Sequence, residues 1–324
     1  MNPRSEARKP FTSILRIFYV RNKFMLLAAI DIGSNAVRLF FSNVFELKGE
    51  IIVEKASLVR IPLRLGEQVF KKGKISGDKA DGLVKTMKAF KLLIDVVQPV
   101  AYRACATAAM REAENKDALV KRIRKEAAID IEVIDGLEEA RIVSTVTNLS
   151  FDGRFSKAMY IDVGGGSTEI SIMDQHRIVD SNSFKIGTVR MLNEMVKPSE
   201  WNKMQDWLTR FKGQDEPLLL VGSGGNINKI NKLYGDTNRK VLSIESLEQA
   251  LEHLGEYPVE DRIALLGLRP DRADVIIPAG QIFHFIMKYL EVDYVFVPKI
   301  GLSDGIVSML FKEQMGKKPL QKKS

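Results

Sequence analysis

Two stretches of this chain, 131 positions apart, place an acid, glycines and hydroxyl side chains at matching spacing. Ala28-Ala29-Ile30-Asp31-Ile32-Gly33-Ser34-Asn35 is answered by Met159-Tyr160-Ile161-Asp162-Val163-Gly164-Gly165-Gly166-Ser167-Thr168-Glu169. In each, an apolar run of strand composition carries an Asp to its end, and a glycine turn follows. Glycine lets the backbone approach a ligand closely, so that successive N–H groups converge on an anion. Ser and Thr add donors at the same place. The Asp would repel a bare phosphate, but it can hold a Mg²⁺ ion that the phosphate also binds. A third turn, Val221-Gly222-Ser223-Gly224-Gly225-Asn226-Ile227, follows the apolar strand Leu218–Val221 and opens a helical stretch, whose free N–H groups attract anions. Any one of these turns alone is an ordinary loop. Together they point to a duplicated phosphate-binding unit.

The elements that must position these turns read as two similar halves. Strands are expected at Leu26–Ile32, Val37–Val44 and Glu50–Arg60. A helix over Ser76–Val97 puts Leu83, Met87, Phe90, Ile94 and Val97 on one face and ends before Pro99. A strand at Val100–Ala106, a charged helix at Asp117–Ala127, a strand at Ile129–Ile134 and a helix at Glu138–Leu149 complete the first half. After a polar linker at Ser150–Lys157, strand, turn and strand recur over Met159–Met173, with a third strand at Ile178–Phe184. Helices follow at Thr188–Met195 and Ser199–Phe211, and Trp201 and Trp207 belong to the packing of the latter. The rest is mainly helical, broken by a strand at Tyr294–Pro298. This alternation indicates α/β lobes, each a mixed sheet covered by helices. Two such lobes would set the hairpins on opposite walls of one interdomain cleft.

Composition narrows the function classes. The chain has 324 residues, enough for about two domains, and a single cysteine, Cys105, so no internal disulfide forms. That suits a reducing cytoplasmic setting. No apolar run reaches the length that spans a bilayer, so no membrane partner is expected. The net charge of +8 sits at the ends: residues 1–24 carry six basic residues against Glu6, and residues 316–324 four lysines and no acid. The body is close to neutral, which argues against nucleic acid as partner. Residues 1–24 read as a disordered extension. They have the Arg-rich, acid-poor character of a transit peptide but no secretory h-region, and a start at Met25 is the preferred reading. His176, His253 and His284 are scattered, which disfavours zinc or phosphohistidine chemistry, and Cys105 reads as structural.

With these motifs assembled, the chain resembles the exopolyphosphatase / guanosine pentaphosphate phosphohydrolase (Ppx/GppA) phosphatases of the actin-like ATPase superfamily, from about Leu26 to Leu310. The resemblance rests on Asp31–Asn35, Ala106-Thr107-Ala108-Ala109-Met110-Arg111, Gly136-Leu137-Glu138-Glu139-Ala140-Arg141, Asp162–Glu169, Gly222–Asn226 and Gly301-Leu302-Ser303-Asp304-Gly305. It implies a two-lobed, ribonuclease H-like fold, with lobe I over 25–149, lobe II over 150–303, a helix over 304–315 that packs back on lobe I, and a basic tail over 316–324. It also implies Mg²⁺-dependent removal of terminal phosphate (Mn²⁺ as a substitute) and a homodimer. By resemblance the catalytic residues are Glu139, as base, and Arg111, facing the terminal phosphate. Metal falls on Asp162 and Glu169. Substrate falls on Asp31, Gly33, Ser34, Asn35, Gly164, Gly165, Gly166, Ser167, Thr168, Gly222, Ser223, Gly224, Gly225, Asn226 and Arg190.

Helical spacing independently separates Glu139 from its neighbour. Glu139 aligns with Ile142, Val143 and Val146 on the apolar face, whereas Glu138 stacks with Arg141 at the surface. A carboxylate on the apolar side loses solvation, and its pKa rises toward that of a base working near neutral pH. Because the body carries no net positive charge, the cleft must be positive locally; Arg38, Arg141, Lys185, Arg190 and Lys229 are further candidate contacts. The preferred substrate is inorganic polyphosphate, and longer relatives carry additional helical domains, so short chains are favoured. Guanosine pentaphosphate (pppGpp) is the alternative. A catalytically silent binder of either, or a sugar or acetate kinase, ranks below them.

Overall fold

The computed structural model describes residues 24–47, 49–146, 155, 157–174, 177–213 and 218–316. The expected extension and linker, the basic tail and His176 lie wholly or mostly outside them. Strands β1 (Met25–Ile32), β2 (Val37–Leu47) and β3 (Glu50–Ile61) form an antiparallel meander. On the other edge of β1, β4 (Ala101–Ala106) and β5 (Ile131–Val133) add in parallel, giving the order β3-β2-β1-β4-β5. Around this sheet run α1 (Leu65–Lys72), α2 (Gly77–Val97), α3 (Ala108–Glu112), α4 (Lys116–Ala127) and α5 (Gly136–Ser144).

The second sheet repeats the plan. Strands β6 (Lys157–Val163), β7 (Thr168–Asp174) and β8 (Arg177–Phe184) are antiparallel, and β9 (Leu218–Ser223) joins β6 in parallel. Beyond it come β10 (Val241–Ser243) and β11 (Tyr294–Phe296), in the order β10-β11-β9-β6-β7-β8. Its helices are α6 (Thr188–Leu192), α7 (Pro198–Thr209), α8 (Gly225–Tyr234), α9 (Ile244–Gly255), α10 (Val259–Ala264), α11 (Pro270–Ala273) and α12 (Ile276–Leu290). The chain's last described helix, α13 (Leu302–Gly316), returns to the first sheet.

Burial explains why β1 reads as almost unbroken apolar sequence. Both faces of a central strand are covered, so neither needs polar residues. Ala28, Ile30 and Ile32 join the core beneath α2, while Leu27 and Ala29 face Ile306, Val307, Leu310 and Phe311 of α13. Asp31 falls in step with the second set, on the side where α13 meets Ile142 and Val143 of α5. α5 in turn packs on β7 and β8, so it stands at the junction of the two sheets.

In the second lobe Trp207 is buried edge-on against Phe184, and Trp201 packs against Phe285. Three elements have no counterpart in the sequence pattern: α1, α3 and β10, which span eight, five and three residues. Segments this short give the helical or strand period too few repeats to register. Among the described residues no helix is long and apolar enough to cross a membrane.

Candidate active site

The two hairpins are equivalent in register but differ in charge. Asp31 pairs with Arg38 across β1 and β2; at the corresponding place in β6 and β7, Asp162 pairs with Glu169. Both turns close through the same backbone bond, Gly33 N to Ala36 O at 3.1 Å and Gly164 N to Ser167 O at 2.9 Å. Residues directly opposite on a sheet face put their Cβ atoms about 5 Å apart. In the first hairpin this builds an ion pair between Arg38 and Asp31. Burial disfavours the Arg38 charge, yet Asp31, with Asp162 and Asp304 further off, holds it above its ordinary value. In the second hairpin the same geometry sets two acids against each other.

Glu139 joins them from α5. The Asp135 side chain caps this helix by accepting from the Glu138 N–H at 2.8 Å, which starts the helix so that Glu139 falls in its first turn. Glu138 pairs with Arg141 at the surface, while Glu139 is buried with Ile142 and Val143. Arg111, at the end of α3, donates to the Ile134 carbonyl and brings Nη1 within 3.7 Å of Glu139 Oε2 and Nη2 within 3.9 Å of Glu169 Oε1. Glu139 Oε2 is buried without a hydrogen-bond partner. Burial, reinforced by Glu169 and Asp162, pushes its pKa well above the usual carboxylate range, with Arg111 opposing.

Burial likewise lifts Glu169 to about 7, against hydrogen bonds from Ser167 and Ser183, the latter at 2.9 Å. Asp162 is raised by burial, with the Ser223 hydroxyl opposing. Glu169 is buried and Asp162 half-buried, and two such carboxylates facing each other, both driven toward their neutral forms, suit a small divalent cation. Among the described residues no three Asp, Glu, His or Cys side chains converge as a complete ligand set. Asp162 and Glu169 offer oxygen donors of the kind Mg²⁺ takes, an ion that commonly uses one or two carboxylates and completes its shell with water and phosphate oxygens.

The turns of the two lobes interlock. A Cβ on Gly166 would lie 2.4 Å from Phe70 Cζ and 2.8 Å from Ala108 Cβ, so only glycine lets this turn seat on α1 and α3. Ser34, buried at the first turn, leaves its hydroxyl unpartnered. Gly224 opens α8 at φ 103°, a conformation open to glycine, and α8 has neither a side-chain cap nor an acid in its first turn. Its leading N–H groups thus remain available to an anion.

Four residues stand differently from the expectation. Thr168, one position from Glu169, points to the opposite sheet face, where its buried hydroxyl donates to the Ile186 carbonyl at 2.6 Å. Gly222 belongs to β9, paired with Ile161, rather than to the turn. Asn35 donates its side-chain N–H to the Asp271 carbonyl of the other lobe at 2.7 Å. Arg190 is engaged by Glu112 and Gly166. Gly33, Gly164, Gly165 and Ser167 lie at the two hairpin turns, Ser223 ends β9 opposite Asp162, and Gly225 and Asn226 are the first residues of α8.

A group of cations gathers at the third turn, of which only Arg38 stood among the candidates read from the sequence. Arg272 lies against Gly225 at the third turn, near Arg38, Arg60 and Arg269. Burial first, then the neighbouring arginines, push Arg60 down to about 9 and Arg272 to about 10. Asp271 pairs with Arg60 within the group. The cluster of Arg269, Arg272, Asp271 and Asp274 is visible in the sequence as a run of charge, but nothing there aims it at a turn 47 residues earlier.

The family model of the Ppx/GppA phosphatases matches residues 52–313. The chain belongs to the Ppx/GppA phosphatase family. Exopolyphosphatase 1 of Mycobacterium leprae is 24% identical over 303 residues, covering 87% of this chain and 88% of that one. The guanosine-5'-triphosphate,3'-diphosphate pyrophosphatase of Photobacterium profundum is 23% identical, covering 87% of this chain and 58% of its own. The crystal structure of the Aquifex aeolicus Ppx/GppA family member superposes with a TM-score of 0.72 at 25% identity, over 91% of this chain and all of that one. The two sheets are accordingly the halves of the two-domain, actin-like ATPase fold of this family.

Proposed function

We propose that the protein is an exopolyphosphatase that removes the terminal phosphoryl group of inorganic polyphosphate, with short chains preferred. The observation that carries this reading is Glu139: buried, with Oε2 unpartnered, facing Arg111 and Glu169 between the two glycine hairpins. In this role Glu139 takes a proton from a water molecule, whose oxygen attacks the terminal phosphorus in line as the bridging P–O bond breaks. Arg111 holds Glu139 toward its ionised form and neutralises the equatorial phosphoryl oxygens. The N–H groups that follow Gly33 and Gly164 in their turns, and those that open α8, receive the remaining oxygens, and the leaving chain carries away the electron pair. Asp162 and Glu169 would hold Mg²⁺, which when bound supplies further neutralisation of phosphate charge.

The likeness to an exopolyphosphatase over nearly the full length of that relative supports the choice of substrate. The likeness to a guanosine pentaphosphate hydrolase supports pppGpp as the second reading. The cations around Arg272 suit the upstream phosphates of either. Phosphate release with Mg²⁺ from tripolyphosphate, long polyphosphate and pppGpp, measured side by side, decides between them. Fastest release from tripolyphosphate is expected. Release from pppGpp alone would replace the first reading by the second, and release from none would leave a binding protein.

A further inference from the structure

Arg190, on α6 of the second lobe, divides its guanidinium between its own lobe and the first. Its Nε donates to the Gly166 carbonyl at 2.6 Å, and its Nη2 donates to both carboxylate oxygens of Glu112 at 2.5 Å. Its Cζ stacks 3.9 Å above the Phe70 ring. Arg190 itself is buried. Three parts of the molecule meet there: the tip of the β6–β7 hairpin through Gly166, α1 through Phe70, and α3 through Glu112.

The consequence lies in the neighbour of Glu112. Arg111 precedes it in the same five-residue helix, and Arg111 is the side chain that stands beside Glu139 and Glu169. A helix of one turn and a half has no stability of its own, because nucleation costs more than so few backbone bonds return. Its orientation must be set from outside, and a charge-assisted pair with a stacked guanidinium is a directional way to set it. Any parting of the lobes would break the contacts of Arg190 with Glu112 and Phe70, while its bond to Gly166 lies within its own lobe.

We infer that Arg190 is a positioning residue that couples closure of the two lobes to the placement of Arg111, and that it does not bind substrate. This rests on the catalytic reading of Arg111 given above. The test uses the full chain with tripolyphosphate and Mg²⁺, comparing Glu112→Gln, Arg190→Gln and the double variant. Each single change should lower kcat by about 100-fold, the scale of a misplaced catalytic group, with KM nearly unchanged. The double variant should lose no more than Arg190→Gln alone, because removing the guanidinium already removes the Glu112 contact. Arg190→Lys, which keeps the charge, should recover part of the loss.

Small-angle scattering with tripolyphosphate gives a second readout that does not depend on turnover. The wild type should be compact, and both single variants should show a larger radius of gyration. If Arg190→Gln fails to fold, Glu112→Gln carries the same expectations. A raised KM with kcat intact in Arg190→Gln, additive losses in the double variant, or dimensions unchanged in both single variants would each overturn the inference. A wild type that releases no phosphate from tripolyphosphate or pppGpp defeats the proposed function instead, and scattering still decides the coupling.

Discussion

Exchange of one residue between equivalent positions separates the two hairpins. Arg38 in the first neutralises Asp31, whereas Glu169 in the second doubles the charge beside Asp162. Glu139 adds a third acid, so this corner of the cleft stores electrostatic strain that a cation, a proton or Arg111 relieves. Glu139→Gln should lower kcat by about a thousandfold, within the range for loss of a general base, while KM for tripolyphosphate changes little. Steady-state phosphate release checks this, and a retained kcat would remove Glu139 from the mechanism. For stability the sign is also set. Glu169 is lifted from the ordinary value near 4.5 to about 7, so the folded state keeps a proton that the unfolded state releases. Without divalent cation, its contribution is full below pH 4.5 and declines as pH rises through 7. Melting temperature should therefore fall more steeply over this window in the wild type than in Glu169→Gln, and Mg²⁺ should flatten the wild-type slope.

At the level of elements, α5 shows how a single cap places a functional group. Asp135 begins the helix two residues before the apolar pattern announces it, and the first turn then delivers Glu139 to the junction of the sheets. Asp135→Ala should cost about 1 kcal/mol of stability in a urea titration. It should also lower kcat at constant KM, because the carboxylate rides on the turn that loses its anchor. The pairing of Glu138 with Arg141 and the burial of Glu139 were both readable from helical spacing. The helices α1 and α3 were not, although they supply Phe70, Arg111 and Glu112. They owe their form to the surfaces they pack on, since segments this short have little periodicity or intrinsic stability.

For the molecule as a whole, α13, the last described helix, packs against β1, the first described strand. Its buried residues complete the core of the first sheet and press on α5 at Ile142 and Val143. Phe311→Ala should thus destabilise the protein by about 3–5 kcal/mol, read from the denaturation midpoint, and should reduce turnover through α5 as well. The sequence by itself determined the doubled strand-turn-strand plan, the acids at the two strand ends and the buried face of α5, because period, glycine and charge act over a few neighbouring residues. Only the tertiary structure decided which side chains are free for a ligand. Thr168 and Gly222 are absorbed by local packing, Asn35 reaches Asp271 at a separation of 236 residues, and Arg190 reaches Glu112 at 78. Such pairings depend on how two lobes meet, and no local pattern encodes the approach of surfaces so far apart along the chain.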